Sequence, residues 1–471
     1  MKRLARLHVG NRPIGLGTAI CLCLGLAAWS AVGVEAAEPT TAELTAAERG
    51  YRWLTEKAYV GVDFDEETFA QVWKQWPEPL RTEARDADDA TRRRMAFARY
   101  GLTVRPGDAS GKPLQYVVDS EGRWGMNCFA CHGGEVAGQV VPGLPNAHYA
   151  LETLTEETRA AKFELSKPLS RMDLGFVFMP LGGTNGTTNA VMFGVALMSF
   201  RDADLNFHAD RSQPQMTHHD MDAIPWWHFR KRQKIYADGF AQKGHRALMQ
   251  FMLIRQNGPE KFREWEADFR DVYAYLESLR PPKYPFPIDA PLAARGRKVF
   301  EAHCARCHGR YGEQESYPEV VVPIDEIGTD RVRWASLSEA HRAGYAASWF
   351  AHYGAEKIDL KPSGYLAPPL DGIWASAPYF HNGSVPTLWH LLRPDQRPEV
   401  WRRRSKEYDS QRVGLAVEER STLPAASSLS KAERREYFDA SRFGKSNAGH
   451  DYPAALSDEE KTALLEYLKT L

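Results

Sequence analysis

Apolar residues at helical spacing lie on both sides of a proline-rich segment (280–291), which is called the seam below. From residue 260 to 279, "EKFREWEADFRDVYAYLESL" places large apolar residues three or four positions apart, which predicts an amphipathic helix. The following stretch, "RPPKYPFPIDAP", is dense in proline, so it ends the helix and favours a stiff extended linker. The seam therefore divides the chain into two regions.

Two further helices are predicted beyond the seam. The segment "LAARGRKVFEAHCARCH" follows the linker directly, and "LSDEEKTALLEYLKTL" ends the sequence. Ser457 with Glu460 three residues later is a capping box, which predicts the start of the last helix. Long irregular segments rich in Gly, Pro and aromatic residues separate these helices, so a mostly α fold is expected.

The cysteine pattern carries the clearest chemistry. Two of the six cysteines, Cys21 and Cys23, lie in an apolar N-terminal run, and the other four form two C-x-x-C-H motifs. A zinc site needs further Cys or His ligands near each pair, and a thioredoxin-like pair needs no adjacent His. C-x-x-C-H is the attachment motif of haem c, in which both thiols bond to the haem and the His ligates iron. Two covalently bound haem c groups are therefore predicted, held by Cys128, Cys131 and His132 and by Cys304, Cys307 and His308.

The first 37 residues have the order of a secretory signal. Basic residues precede an apolar run, and small residues follow it near Ala36 and Ala37. Cleavage there would deliver the protein to the periplasm, whereas an uncleaved segment would act as a single-span membrane anchor. Haem c attachment also takes place outside the inner membrane, so a periplasmic location is expected.

The net charge limits the classes of partner that the protein can bind. The formal net charge is −1, and removing the four basic and one acidic residues of the first 37 leaves −4. A near-neutral chain gives no electrostatic basis for binding nucleic acid. The expected partners are a small-molecule oxidant or organic substrate and a redox partner protein, with a membrane involved only if the N-terminal segment stays attached.

The order of helix, C-x-x-C-H motif and final helix resembles the cytochrome c fold. Gly296 and Phe300 on the earlier helix and Tyr467 on the last look like the crossing of that fold, where glycine lets the two helices approach. In addition, "APYFHNGSVPTL" (377–388) is similar to an element of bacterial di-haem cytochrome c peroxidases and MauG-type enzymes, and the wider pattern resembles their rubber-oxygenase-like branch. The resemblance covers roughly residues 120–471 and implies two cytochrome c-type haem domains with long irregular loops. The predicted organisation is a signal peptide (1–37), an N-terminal helical extension (38–115), a first haem domain (116–283) and a second haem domain (284–471).

The sixth ligand of the second haem should be a histidine. None of the 11 methionines follows Met252, so the second region has no Met of its own, unlike the peroxidases that the chain resembles. His450 lies just before the last helix, where the returning loop of a cytochrome c covers the haem, and we predict it as the ligand. His381 belongs to the family element, and we expect it to contact a haem propionate or the backbone.

The surroundings of the first haem leave its sixth ligand open. Met216, His218 and His219 are candidates, but the Met-rich run before them is more typical of core packing. Trp226 and Trp227 are either core residues or, as the family resemblance implies, residues that pass an electron between haems. A basic cluster (230–234) follows; it is typical of a solvated face, although a guanidinium can pair with a haem propionate.

Three functions fit these features. The family resemblance favours a di-haem oxidoreductase that uses peroxide or dioxygen at the first haem, with the second haem relaying electrons. The alternatives are an electron-transfer cytochrome whose two irons are both six-coordinate and a gas-binding sensor. Open coordination at one iron distinguishes the enzyme from the carrier.

Overall fold

Helix predominates over strand in the computed structural model of the protein, which describes residues 44–471. Of these residues 42% are helical and 13% are in strands, so the mostly α prediction is confirmed. The α-helices are α1 (Ala46–Glu56), α2 (Glu66–Gln71), α3 (Leu80–Asp86), α4 (Asp89–Tyr100), α5 (Phe129–His132), α6 (Leu151–Glu164), α7 (Arg171–Phe178), α8 (Ala190–Ser199), α9 (Pro259–Glu264), α10 (Glu266–Ser278), α11 (Ala290–His303), α12 (Ala305–His308), α13 (Ile324–Ile327), α14 (Val332–Ser336), α15 (Glu339–Ala346), α16 (Leu388–Leu391), α17 (Lys431–Arg435) and α18 (Asp458–Leu468).

The strands are short and pair antiparallel in small sheets. They are β1 (Phe64–Asp65), β2 (Tyr116–Val118), β3 (Arg123–Met126), β4 (Gly133–Val136), β5 (Gln139–Pro142), β6 (Lys234–Ile235), β7 (Ala241–Gln242), β8 (Val321–Pro323), β9 (Gly364–Leu366), β10 (Val400–Asp409), β11 (Gly414–Arg420) and β12 (Tyr437–Asp439). Two sheets have three strands, in the orders β1-β3-β2 and β11-β10-β12, and the other pairs are β4-β5, β6-β7 and β8-β9. The longest 3-10 helices are Trp226–Arg230 and Arg246–Met252.

The N-terminal predictions fall outside this part of the chain. The predicted signal peptide, with Cys21 and Cys23, lies outside the described residues. Among residues 44–471, no helix has both the length and the apolar character that a membrane crossing requires.

The helices predicted around the seam are present. The periodic segment 260–279 forms α9 and α10, interrupted at Trp265, whose backbone N–H donates to the Lys261 carbonyl. The Trp265 ring packs edge-on against Tyr59 at 5.1 Å between centroids, so the break serves to bury this large side chain. In the predicted capping box, the Glu460 N–H donates to Ser457 Oγ at 3.2 Å and the Ser457 N–H donates to Glu460 Oε2 at 2.8 Å.

The predicted crossing at Gly296 is confirmed. A Cβ on Gly296 would lie 1.9 Å from the Ala463 carbonyl oxygen and 2.9 Å from Tyr467 Cβ, so α11 and α18 touch through backbone. The Phe300 and Tyr467 rings pack beside this point at 5.3 Å between centroids. Only glycine permits this distance of approach.

A second crossing of the same kind lies in the first half of the chain. A Cβ on Gly50 of α1 would lie 2.2 Å from the Asp271 carbonyl oxygen of α10. Helix α1 therefore packs on α10 as α11 packs on α18. This contact joins the predicted N-terminal extension to the predicted first haem domain, and the boundaries at 115/116 and 283/284 stay predictions.

Replacing Gly296 with Ala should destabilise the fold by about 1–3 kcal/mol, because the added methyl group must push two helix backbones apart. Gly344 in α15 is the matched control, since a Cβ there meets nothing within 4 Å. Gly344→Ala should be neutral or stabilise by about 0.5–1 kcal/mol, the usual helix preference of Ala over Gly. Chemical denaturation of both variants checks this, and equal midpoints would contradict the close crossing.

Candidate haem sites

The first C-x-x-C-H motif ends in a histidine whose orientation is fixed from outside the motif. Cys128 precedes the single turn α5, which carries Cys131 and ends at His132. The His132 Nδ1–H donates to the Ile224 carbonyl at 3.1 Å, and the ring stacks on Trp226 at 4.8 Å between centroids and 23° between planes. Since a carbonyl only accepts, this bond leaves the Nε2 lone pair of His132 free to bind a metal.

The second motif repeats this geometry. Cys307 lies in the single turn α12, which ends at His308. The His308 Nδ1–H donates to the Pro368 carbonyl at 2.8 Å, so the same tautomer is selected. Burial also lowers the pKa of His132 to about 4 and lowers the pKa of His308, so both imidazoles are neutral, as metal ligation requires.

The four thiols fit haem attachment better than the alternatives. All four are free in the structure, and the described residues contain no cluster of three or more Cys, His, Asp or Glu suited to a metal ion. Burial raises the pKa of Cys128 to about 11, that of Cys131 to about 12 and that of Cys304 to about 11. Cys128 is exposed and lines a cavity. The surrounding protein still desolvates its thiol. A reactive redox thiol has a lowered pKa instead.

A large cavity opens beside the first motif. Its volume is about 1480 Å³, above the roughly 300–1,000 Å³ of an ordinary small-molecule site. Cys128, Cys131 and His132 all border it. Most of the wall is apolar, including residues of α1, α7, α8 and α10. The space next to His132 can therefore hold a haem and a further molecule.

A buried carboxyl group also borders this cavity. Asp63 follows the loop after α1, and its Oδ2 accepts from the Met126 N–H at 3.1 Å, two residues before Cys128. Burial raises the pKa of Asp63 to about 7. The carboxyl group can therefore gain or lose a proton near neutral pH.

The second motif faces a histidine rather than a cavity wall. The His450 ring lies 6.1 Å from the His308 ring between centroids, at 60° between planes. Two imidazoles that each bind one metal at about 2 Å would have their centroids about 6 Å apart. Burial lowers the pKa of His450 to about 3, and its Nδ1 is buried without a hydrogen-bond partner among the described residues.

His381 lies against a tyrosine. Its ring packs on Tyr365 at 4.3 Å between centroids, with 3.2 Å between His381 Nε2 and the Tyr365 hydroxyl. The His381 carbonyl accepts from the Asp222 N–H at 2.9 Å. The structure thus gives His381 side-chain and backbone partners, whereas it brings His450 to His308.

The candidate ligands for the first haem do not line the cavity. His218 Nδ1 lies 2.6 Å from the Asn189 side-chain amide, and the His219 Nδ1–H donates to the Thr217 carbonyl at 2.8 Å. Met216, His218 and His219 are absent from the cavity wall, which includes Met126 and Met221 instead.

The two predicted tryptophans lie in the segment between the motifs. Trp226 stacks on His132, and the neighbouring Trp227 is buried and donates from Nε1 to the Asp371 carbonyl at 2.6 Å. Asp371 lies three residues beyond Pro368, whose carbonyl holds His308. This short segment therefore contacts His132 directly and bonds to Asp371, close in the chain to the Pro368 carbonyl that holds His308.

Sequence reasoning did not identify the carbonyl groups of Ile224 and Pro368, which fix the two histidines. Every residue has a backbone carbonyl, so the residue types in the sequence do not mark these two. It also missed Gly50, although Gly followed by an aromatic residue in "AERGYRWL" parallels the glycine of "AARGRKVF".

The second half of the chain contains a cytochrome c-like region. Residues 364–402 match the family described as "RoxA-like, cytochrome c-like", a segment that includes Pro368, Asp371 and His381. This short domain supports a haem c protein.

Two curated relatives share part of the sequence. Both are from Sinorhizobium fredii and are named uncharacterized protein y4iM, 32% identical over 244 residues, and uncharacterized protein y4iJ, 31% identical over 259 residues. These alignments cover 42% and 41% of this chain and 53% and 41% of the relatives, so the chain spans about half the length of the proteins it matches.

Proposed function

We propose that this protein is an exported, periplasmic di-haem c-type cytochrome that acts as an oxidoreductase. One haem is bonded to Cys128 and Cys131 with His132 as ligand and reacts with peroxide or dioxygen. The other is bonded to Cys304 and Cys307, is held between His308 and His450, and relays electrons.

The asymmetry of the two motifs carries the proposal. Both histidines present a free Nε2, yet His132 borders a cavity of about 1480 Å³, whereas His308 has His450 at 6.1 Å. A haem with two protein ligands passes electrons, and a haem with one open side admits a reactant. The first site therefore has room for chemistry, while the second has the geometry of a relay.

The chain's own residues can assist at the first site. When bound, the haem would supply iron that exchanges electrons with an oxidant. The mostly apolar wall lowers the local dielectric, which strengthens electrostatic interactions near it. Asp63 can hold or release a proton at its carboxyl group, because its pKa is about 7. The apolar wall favours an organic co-substrate of low polarity.

Trp227 is the candidate relay between the sites. It connects by its Nε1–H to the Asp371 carbonyl, and it follows Trp226, which stacks on the His132 ring. Trp226 thus contacts the first motif, and Trp227 contacts the backbone three residues from Pro368, which holds His308. The roles of Trp226 and Trp227 stay predictions.

Spin state and ligand binding test the proposal. Electron paramagnetic resonance of the oxidised protein should reveal one high-spin and one low-spin haem, and carbon monoxide should bind only one haem of the reduced protein. In Cys307→Ala the remaining haem should still bind carbon monoxide, which assigns the open site to Cys128 and Cys131. Two low-spin haems that both exclude carbon monoxide would instead identify an electron-transfer cytochrome.

A further inference from the structure

Two guanidinium groups are buried at the wall of the large cavity. Arg232 is 6% exposed and Arg333 is 1% exposed, and both border the same cavity as Cys128, Cys131 and His132. Arg232 comes from the segment after Trp227, whereas Arg333 comes from α14 beyond the second motif. The cavity wall therefore combines cations from both halves of the chain.

The arginines in this region outnumber the carboxylates that pair with them. Asp238 is fully buried and lies 2.6 Å from Arg333 and 2.8 Å from Arg342. Arg342 is also bound to the Leu337 carbonyl at 2.6 Å and does not border the cavity. Arg232 has no carboxylate within 4 Å among the described residues. Arg333 and Arg342 thus share the Asp238 carboxylate while Arg232 has none within the described range, so these four side chains carry a net charge of +2.

The neighbouring polar groups in the described part of the chain leave hydrogen-bond donors of both guanidiniums without partners. Arg232 donates from Nη2 to the Tyr236 carbonyl at 2.6 Å, but its Nε and the Nε of Arg333 are buried without hydrogen-bond partners in residues 44–471. The nearby Glu319 carboxylate accepts from the backbone N–H groups of Gln233 and Lys234, both at 2.7 Å. Burying guanidinium N–H groups that lack partners is costly unless an anion binds there.

We propose that Arg232 and Arg333 bind a pair of carboxylates, the two propionates of the haem attached at Cys128 and Cys131. The charge of two propionates balances +2, and a guanidinium matches a carboxylate with paired hydrogen bonds. Haem propionates lie away from the edge that bonds to cysteine, and the thiols and the arginines border the same cavity. The inference rests on the proposed function, since it requires a haem at the first motif.

The midpoint potential of the first haem is the test. Ferric haem carries one more positive charge than ferrous haem, so a nearby cation favours the ferrous state. Arg232→Gln and Arg333→Gln should each lower the potential in a spectroelectrochemical titration of the holoprotein. Arg333→Lys keeps the charge and should retain most of the wild-type potential, which separates electrostatics from loss of packing.

Arg331→Gln is the matched control. Arg331 immediately precedes α14, is 60% exposed in its side chain and pairs with Asp325 at 2.9 Å, so its loss should leave the potential unchanged. Unchanged potentials in both Arg232→Gln and Arg333→Gln would overturn the proposal. Mass spectrometry of the peptide containing Cys128 runs in parallel: a peptide without haem refutes the proposed function, whereas a haem with unchanged potential refutes only this inference.

A carboxylate ligand that is not part of a haem could bind the same two arginines. Laurate, an apolar chain with one carboxylate, serves as the probe in an optical titration of the oxidised protein. If the propionates fill the site, laurate should leave the spectrum of the first haem unchanged. A shift in the wild-type protein that is lost in Arg333→Gln would overturn the propionate assignment and identify a site for a carboxylate ligand.

Discussion

Replacing His450 with Ala should convert the haem bound at Cys304 and Cys307 from low spin to high spin and raise its potential. The proposed pair of histidines gives a strong ligand field and stabilises the ferric state. Removing one imidazole weakens the field and leaves one side of the iron open. The supporting observation is the distance of 6.1 Å between the His308 and His450 ring centroids. Electron paramagnetic resonance and a redox titration of the variant measure both changes.

His381→Ala is the matched control for this experiment. His381 is also a buried histidine of the second region, but its ring lies on Tyr365. The variant should keep the second haem low spin. The reverse pattern, with His381→Ala high spin and His450→Ala unaffected, would exchange the two assignments.

Cys131→Ala and Cys307→Ala should each impair the covalent attachment of one haem, as measured by the mass of the denatured protein. Each motif has two cysteines, and loss of one thiol removes a bond on which maturation depends. The functional effects should differ between the two variants. Cys131→Ala should abolish the reaction with peroxide, whereas Cys307→Ala should retain carbon monoxide binding but lose the electron relay.

The two variants control for each other, because each carries the same substitution at an equivalent position. A wild-type mass that corresponds to one haem or to none would contradict the di-haem proposal directly. Equal effects of the two variants on carbon monoxide binding would contradict the division of roles between the motifs.

Features that depend on neighbouring residues could be predicted from the sequence. The capping box of Ser457 and Glu460 spans three residues, and the resemblance to the cytochrome c fold predicted the glycine of the α11–α18 crossing. The two C-x-x-C-H motifs also specify their chemistry locally, since both thiols and the histidine lie within five positions. The absence of Met after Met252 reduced the possible ligands of the second haem to histidines.

The positions of the haem partners depend on contacts between distant residues. His132 bonds to a carbonyl 92 residues away, and His308 bonds to one 60 residues away. Backbone carbonyls occur in every residue, so no sequence pattern marks these two. The basic cluster at 230–234 was expected to form a solvated face, yet Arg232 is buried on the cavity wall.

The sequence by itself determined the attachment motifs and the mostly helical fold, because these follow from short spacing and periodicity. Its resemblance to the cytochrome c fold predicted the crossing of α11 with α18 and the choice of His450. Only the tertiary structure decided the distance of 6.1 Å between the His308 and His450 rings, the large cavity beside His132 and the meeting of Arg333 with Arg232 there. Such neighbours are set by how packed helices and loops bury their apolar surfaces against each other, a property of the whole chain rather than of any local segment.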